Sequence, residues 1–163
     1  MVKKKLILRE IDEDDLPVFF LQQRDPDARH MAAFVPKSPH DEEAFMKRWK
    51  KILADDSVIK RTIDVDGEVI GMISCFEREG TPEVTYWLGK EHWGKGFATR
   101  ALKLLLDLVP KRPLYARTAK DNRASVRVLE KGGFSLAGEE KAFANARDKE
   151  IDEWIYKLEP DRD

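Results

Sequence analysis

Gly94 and Gly96 stand between a β-prone run and an amphipathic run, and that junction constrains the chain more than any other feature. The run before it, Glu83-Val84-Thr85-Tyr86-Trp87-Leu88, is rich in branched and aromatic residues and reads as a strand. After it, Ala98, Ala101, Leu102, Leu105, Leu108 and Val109 recur at helical spacing. A strand that passes through Trp93-Gly94-Lys95-Gly96-Phe97-Ala98-Thr99 into a helix exposes unpaired N–H groups, with no Cβ at 94 or 96 to hold a ligand away. The helix dipole favours an anion there, and Lys95 adds a formal charge, so the loop suits a phosphate or pyrophosphate. A glycine turn that only lets the helix pack closely on the sheet fits the same residues, so spacing alone leaves both readings open. Two phosphate loops fall away. The Gly-x-x-x-x-Gly-Lys-Ser/Thr pattern is absent. A dinucleotide fingerprint wants a third small residue where Thr99 stands, and a parallel strand where this chain shows hairpins.

The surrounding pattern places that junction in a mixed α/β chain. Leu6 to Glu10 reads as a first strand, followed by acidic N-cap candidates at Asp12 to Asp15 and a short helix to about Gln23, with Pro17 in its first turn. Asp25-Pro26-Asp27 breaks that helix, and the stretch to Pro39 reads as loop or broken helix. A helix starts at His40-Asp41-Glu42-Glu43, with Phe45, Met46, Trp49, Ile52 and Leu53 on one apolar face. Val58 to Val65 and Glu68 to Phe76 flank Asp66-Gly67, which favours a type I′ hairpin. Gly80-Thr81-Pro82 marks a further turn. Beyond the glycine loop, Pro110 and Pro113 bracket the exit of the helix, and Leu114 to Thr118 reads as a short strand. Asn122 to Lys131 is a second helix ended by Gly132-Gly133. Phe134 to Gly138 and Ile151 to Leu158 read as closing strands around a polar loop. A strand–helix–strand succession requires a crossover, hence one parallel strand pair.

Several function classes are excluded or bounded by composition. At 163 residues the chain is expected to form one domain, residues 1–163, without internal repeats. Thirty basic and thirty-one acidic residues leave a net charge of −1, so the basic excess of a general nucleic-acid binder is missing. Lys3-Lys4-Lys5 and the Lys47-Arg48, Lys50-Lys51 cluster read as solvated faces. One cysteine, Cys75, rules out an intrachain disulfide and reads as a small buried residue. His30, His40 and His92 lack metal-ligand spacing, so no metal is expected. No apolar run approaches a membrane span, and no apolar segment follows the first lysines, so no membrane partner and a cytoplasmic location are expected.

Taken in order, four segments are together specific. They are Glu83 to Leu88, Trp93 to Thr99, Asn122-Arg123-Ala124-Ser125, and Glu130-Lys131-Gly132-Gly133-Phe134. With them the chain resembles the GNAT superfamily of N-acetyltransferases, and most of all its ribosomal-protein alanine acetyltransferase branch, from Leu6 to Leu158. The resemblance implies a mostly antiparallel sheet of six or seven strands with about four helices and one splayed parallel pair. It implies acetyl-CoA as cosubstrate and an amine acceptor, either a small molecule or a peptide N-terminus, in a monomer or homodimer. The family's Gln/Arg-x-x-Gly-x-Gly/Ala loop maps onto Trp93 to Ala98, with Trp93 in the Gln/Arg place. Amides from Gly94 through Lys95, Gly96, Phe97 and Ala98 to Thr99 would then hold the CoA pyrophosphate. Backbone around Trp87 and Leu88 would pair with the pantetheine arm, and Asn122 would hydrogen-bond it.

Acetyl transfer needs a base for the amine, a donor to the oxyanion and a proton for the sulfur. The resemblance implies Glu83 as base, commonly through water, beside the reading of Glu83 as a solvent-facing strand-end carboxylate. The N–H near Leu88 would support the oxyanion. For the acid, Leu129 fills the place where many relatives carry tyrosine, so Ser125 is the candidate, with a helix-side hydroxyl bonding its own turn as the plainer reading and Tyr86 behind it. Acceptor recognition is expected in Arg24 to Pro39 and Glu140 to Glu150. The alternative function is a non-catalytic acyl-CoA-binding module that keeps the loop and Asn122 but not dependence on Glu83 and Ser125.

Overall fold

The computed structural model describes residues 4–161, which leaves Lys3 of the first basic run outside the described residues. Seven strands form one sheet in the order β1 (Leu6–Arg9), β2 (Ile59–Val65), β3 (Glu68–Arg78), β4 (Thr81–Leu88), β5 (Leu114–Ala119), β7 (Lys149–Leu158), β6 (Ser135–Ala144). Among the described residues five α-helices accompany it: α1 (Leu16–Gln23), α2 (Pro26–Ala32), α3 (Glu42–Ala54), α4 (Phe97–Leu108) and α5 (Arg123–Lys131). The helix beyond the expected four is α2, formed where the sequence reads as loop or broken helix. Asp25 caps it by accepting from the Ala28 N–H, and Pro26 fits its first turn.

Two tight turns set the register of the first four strands. Asp66 and Gly67 both have positive φ, as the type I′ reading requires. Glu79 and Gly80 form a second turn of the same kind, so the turn expected at Gly80-Thr81-Pro82 lies one residue earlier. Thr81 and Pro82 are already strand, and Pro82 sits opposite Glu77 where its nitrogen points away from β3.

Every neighbouring pair is antiparallel except β4 with β5, and that pair is joined at one position only, Glu83 opposite Tyr115. Beyond it the two strands part. One face of the sheet packs on α4 and α5 through Ile73, Val84, Leu102, Leu105, Leu114 and Leu129. The other carries a smaller aromatic cluster of α1 and α3, in which Phe19 meets Trp49 and Phe20 meets Phe45 at ring separations of 5.3 Å.

The polar loop expected between the last strands is instead a long hairpin. β6 runs to Ala144 and β7 starts at Lys149, with pairs continuous from Gly138–Ile155 to Ala144–Lys149. Most of β6 is exposed on both sides, so no apolar alternation marked it.

α1 is tied to the sheet by one buried carboxylate. Arg9 donates twice to Asp15 at 2.8 and 2.9 Å, Thr62 donates its hydroxyl at 2.7 Å, and the Asp12 amide at 2.9 Å. Burial by itself raises the Asp15 carboxyl, but these donors outweigh it and hold the group below the ordinary carboxylate range. Asp15→Asn is expected to lower stability by about 2–4 kcal/mol, at the lower end for a buried pair because Arg9 is partly exposed. Urea denaturation checks this, and an unchanged midpoint would show that α1 does not depend on the pair.

Candidate active site

The parting of β4 from β5 opens a cleft of about 1010 Å³ that passes from the α4–α5 face of the sheet to the α1–α3 face. What lines the gap follows from the β3–β4 register. The Arg78–Thr81 pair closes a two-residue hairpin, so the backbone groups of Thr81, Glu83, Thr85 and Trp87 bond to β3. Those of Val84 turn to β5 at the single bridge, and those of Tyr86 and Leu88 face the opening. Gly89 N–H donates to Ile70 at 3.0 Å and the Trp93 indole donates to the Leu88 carbonyl at 3.1 Å, both in agreement with this alternation. Leu88 therefore presents its N–H to the gap. Trp87 does not: its backbone turns to β3, and its indole donates to the Gln22 carbonyl at 3.3 Å on the far face. Tyr86 takes its place along the gap.

At the α4 end, Gly94 and Gly96 have φ of 74° and 80°, and a Cβ built on either meets nothing within 4 Å. Gly96 also precedes α4 without any side-chain cap, so the first amides of the helix are left unpaired. Trp93, Gly94, Gly96, Phe97, Ala98 and Thr99 all line the cleft. Lys95 departs from expectation. It borders a separate hollow beside Lys4, Asp66 and Glu68, so its charge does not face the cleft. Positive charge comes instead from Arg127 and Lys131 on α5, four residues apart on the face that lines the cleft.

Asn122 is the N-cap of α5, accepting from the Ser125 amide at 3.2 Å and donating to the Met31 carbonyl at 3.3 Å. Ser125 accepts a bond of 3.1 Å from the Tyr86 hydroxyl. Burial raises the Tyr86 phenol above its ordinary value, and the bond to Ser125 offsets only part of the rise.

Glu83 sits where the strands part, on the opposite face from Tyr86, because neighbours along a strand point to opposite sides. It is 4% exposed, which removes the solvent-facing reading. Arg78 lies at 2.9 Å from one carboxylate oxygen and Arg117 at 3.3 Å from the other. Burial pushes the Glu83 carboxyl above the ordinary range, while the two arginines pull it partly back. Arg117 also bonds Glu153 at 3.1 Å and meets Glu140, so Glu83 shares its cations. Neither arginine was marked in the sequence; Arg78 precedes a turn, and Arg117 lies in a strand between polar and apolar neighbours.

The α1–α3 wall includes the segment expected to recognise the acceptor. Ala33 has φ of 64° in a strained turn closed by a 2.7 Å bond from the Phe34 amide to the Ala32 carbonyl. The β6–β7 tip holds this turn in place. Ala146 donates to Ala33 at 3.2 Å, Asn145 to Val35 at 2.7 Å, and Arg147 to His30 at 2.8 Å while also gripping Asp121. The two expected recognition segments thus touch. Among the described residues no cluster of His, Cys, Asp or Glu has metal-site geometry, and no helix is long and apolar enough to cross a membrane. Cys75 lies in the core, where burial raises its thiol.

A family model for the acetyltransferase (GNAT) domain matches residues 5–135. The chain belongs to the GNAT acetyltransferases. Its relatives include spermidine N(1)-acetyltransferase of Escherichia coli K12, 30% identical over 81% of this chain and 74% of that protein. The N-acetyltransferase p20 of Bacillus licheniformis is 24% identical over 95% of this chain and 93% of its own length. Among solved structures, spermidine N-acetyltransferase from Vibrio cholerae in complex with CoA and spermine superposes with a TM-score of 0.77, at 20% identity, covering 94% of this chain and 95% of that one. The ribosomal L7/L12 N-acetyltransferase RimL in complex with CoA also gives 0.77, at 20% identity over 99% and 98%. The GNAT resemblance and the mixed sheet with one splayed parallel pair are thereby established, and the chain is an acetyl-CoA-dependent N-acetyltransferase.

A side chain at Gly96 would enter the open space of the cleft and strain a left-handed backbone. Gly96→Val is expected to weaken acetyl-CoA binding by about 100-fold or more while the protein stays folded. Calorimetric titration beside a circular dichroism melt checks it, and unchanged affinity would remove this loop from the cofactor site.

Proposed function

We propose that this acetyltransferase moves the acetyl group of acetyl-CoA directly to a primary amine in a ternary complex, with Glu83 as general base. The observation that carries the reading is the placement of a buried carboxylate on one face of the parting and a hydroxyl pair on the other. The CoA pyrophosphate sits on the amides from Gly94 to Thr99, with Arg127 and Lys131 adding charge. The pantetheine arm follows the backbone of Tyr86 and Leu88 as an extra strand would. Asn122 borders the same arm. Relatives named for spermidine and for a ribosomal protein indicate that small amines and protein N-termini are acceptor classes within reach of this fold.

The thioester carbonyl then lies in the gap between the two faces. The amine enters from the α1–α3 face and loses its proton to Glu83, directly or through a water. Its nitrogen attacks the carbonyl carbon, and the Leu88 N–H, which faces the gap, stabilises the oxyanion. Collapse expels the thiolate on the other face, where the Ser125 hydroxyl protonates the sulfur and Tyr86 returns a proton to Ser125. Tyr86 and Ser125 thus act as one relay that starts from the protonated phenol, and solvent then restores the Tyr86 proton and takes up the one held by Glu83. No enzyme-bound acyl group is required.

Because the reaction needs the Glu83 carboxylate, the acid limb of kcat/KM lies above the ordinary carboxylate range. Arg78 favours the charged form, so Arg78→Gln moves that limb to higher pH, whereas Glu83→Gln abolishes it and lowers kcat/KM by about 100-fold or more. Thiol release followed from pH 5 to 9 checks both. A limb unmoved by Arg78→Gln and still present in Glu83→Gln would assign the ionisation to another group.

A further inference from the structure

The acceptor half of the cleft carries charges that the acetyl transfer does not use. Its acidic lining residues are Glu83 and Glu153, and both are bound by arginine: Glu83 by Arg78 and Arg117, Glu153 by Arg117. The acidic residues of the α2 segment face elsewhere, since Asp25 caps the helix and Asp27 pairs with Lys90. Arg29 and Arg48 line the same half. Arg29 donates one nitrogen to the Pro36 carbonyl at 2.6 Å, while its Nη1 is buried without any hydrogen-bond partner. Burial lowers its guanidinium from the ordinary value, the mark of a cation short of a counter-ion. Arg48 lies over the Phe45 ring at 5.5 Å, a contact that leaves its charge uncancelled. The rest of this wall is apolar, with Phe19, Met31 and Trp49 among its residues.

A polycation entering here would meet positive charge with no free carboxylate to receive it. A carboxylate would supply the acceptor that Arg29 lacks, and an unmet buried donor is costly enough to drive such a choice. We propose that the acceptor is an amine bearing a carboxylate on an apolar body, an amino-acid-like molecule rather than a polyamine, recognised through Arg29 with Arg48 at the mouth. This rests on the acetyltransferase reading above, and it places specificity on the α1–α3 wall, away from the CoA loop.

The test is a turnover panel of the apolar L-amino acids, their C-terminal amides and spermidine, with rates compared at equal free-amine concentration and acetyl-CoA affinity measured in parallel. At least one amino acid is expected to exceed its amide in kcat/KM by about tenfold or more, with spermidine poorest. Arg29→Gln should bring that ratio close to one, Arg29→Lys should restore part of it, and Arg48→Gln, at an exposed site that leaves the α2 segment intact, should lower it in the same direction. Preference for spermidine or the amides, or a ratio that neither glutamine variant changes, would overturn the proposal. So would tight acetyl-CoA binding with no carboxylate-bearing amine acetylated, an outcome that leaves the acetyltransferase reading standing. Failure to bind acetyl-CoA would instead strike that reading.

Discussion

The structure depends on a single parallel contact, Glu83 opposite Tyr115, after which β4 and β5 separate. A sheet normally satisfies the backbone groups of its central strands, and leaving them unpaired in a buried place is unfavourable. Here the parting leaves Tyr86 and Leu88 facing an opening, with the uncapped start of α4 at one end and the caps of α5 at its side. In the proposed reading, the amide groups of the pantetheine arm complete the hydrogen bonding that the sheet lacks. Cofactor binding is thus a property of the topology before it is a property of any side chain.

The charges at the vertex follow from the same geometry. Glu83 is the last β4 residue paired with β5, so its side chain is buried where the two strands meet, beside Arg117 of β5 and Arg78 at the end of β3. Isolated burial of a carboxylate would be severe, and two cations make it tolerable. Because Arg117 also serves Glu153 and Glu140, its attraction is divided, and the Glu83 carboxyl stays raised. The base proposed at Glu83 needs that balance, charged at working pH yet willing to take a proton. The Tyr86–Ser125 pair sits across the sheet because adjacent strand residues point to opposite faces.

Much of this was legible in the sequence where local chemistry decides conformation. The glycine loop, the Asp66-Gly67 turn, the apolar stripes of α3 and α4, and the helix from Asn122 to the Gly132-Gly133 pair all follow from residues acting on near neighbours. What stayed hidden depends on partners distant in the chain. Trp87 and Tyr86 exchange backbone roles because hairpin register, not composition, sets which groups face β5. Lys95 turns away from the cleft while Arg127 and Lys131 enter it, a matter of where two helices point. The β6–β7 hairpin is exposed along most of β6, so it lacked the alternation that betrays a strand. α2 is short and flanked by breakers, and its strained exit at Ala33 is held by the hairpin tip more than 100 residues later.

Hydrogen exchange at single amides, with and without acetyl-CoA, reads out whether the cofactor completes the sheet at the parting. If the cofactor joins β4 as a strand would, protection rises at Tyr86 and Leu88 and at the loop amides from Gly94 to Thr99. Thr85 and Trp87, already bonded to β3, change little. Protection confined to the loop, or absent from Tyr86 and Leu88 at saturating acetyl-CoA, would show instead that the cofactor does not occupy the parting between β4 and β5.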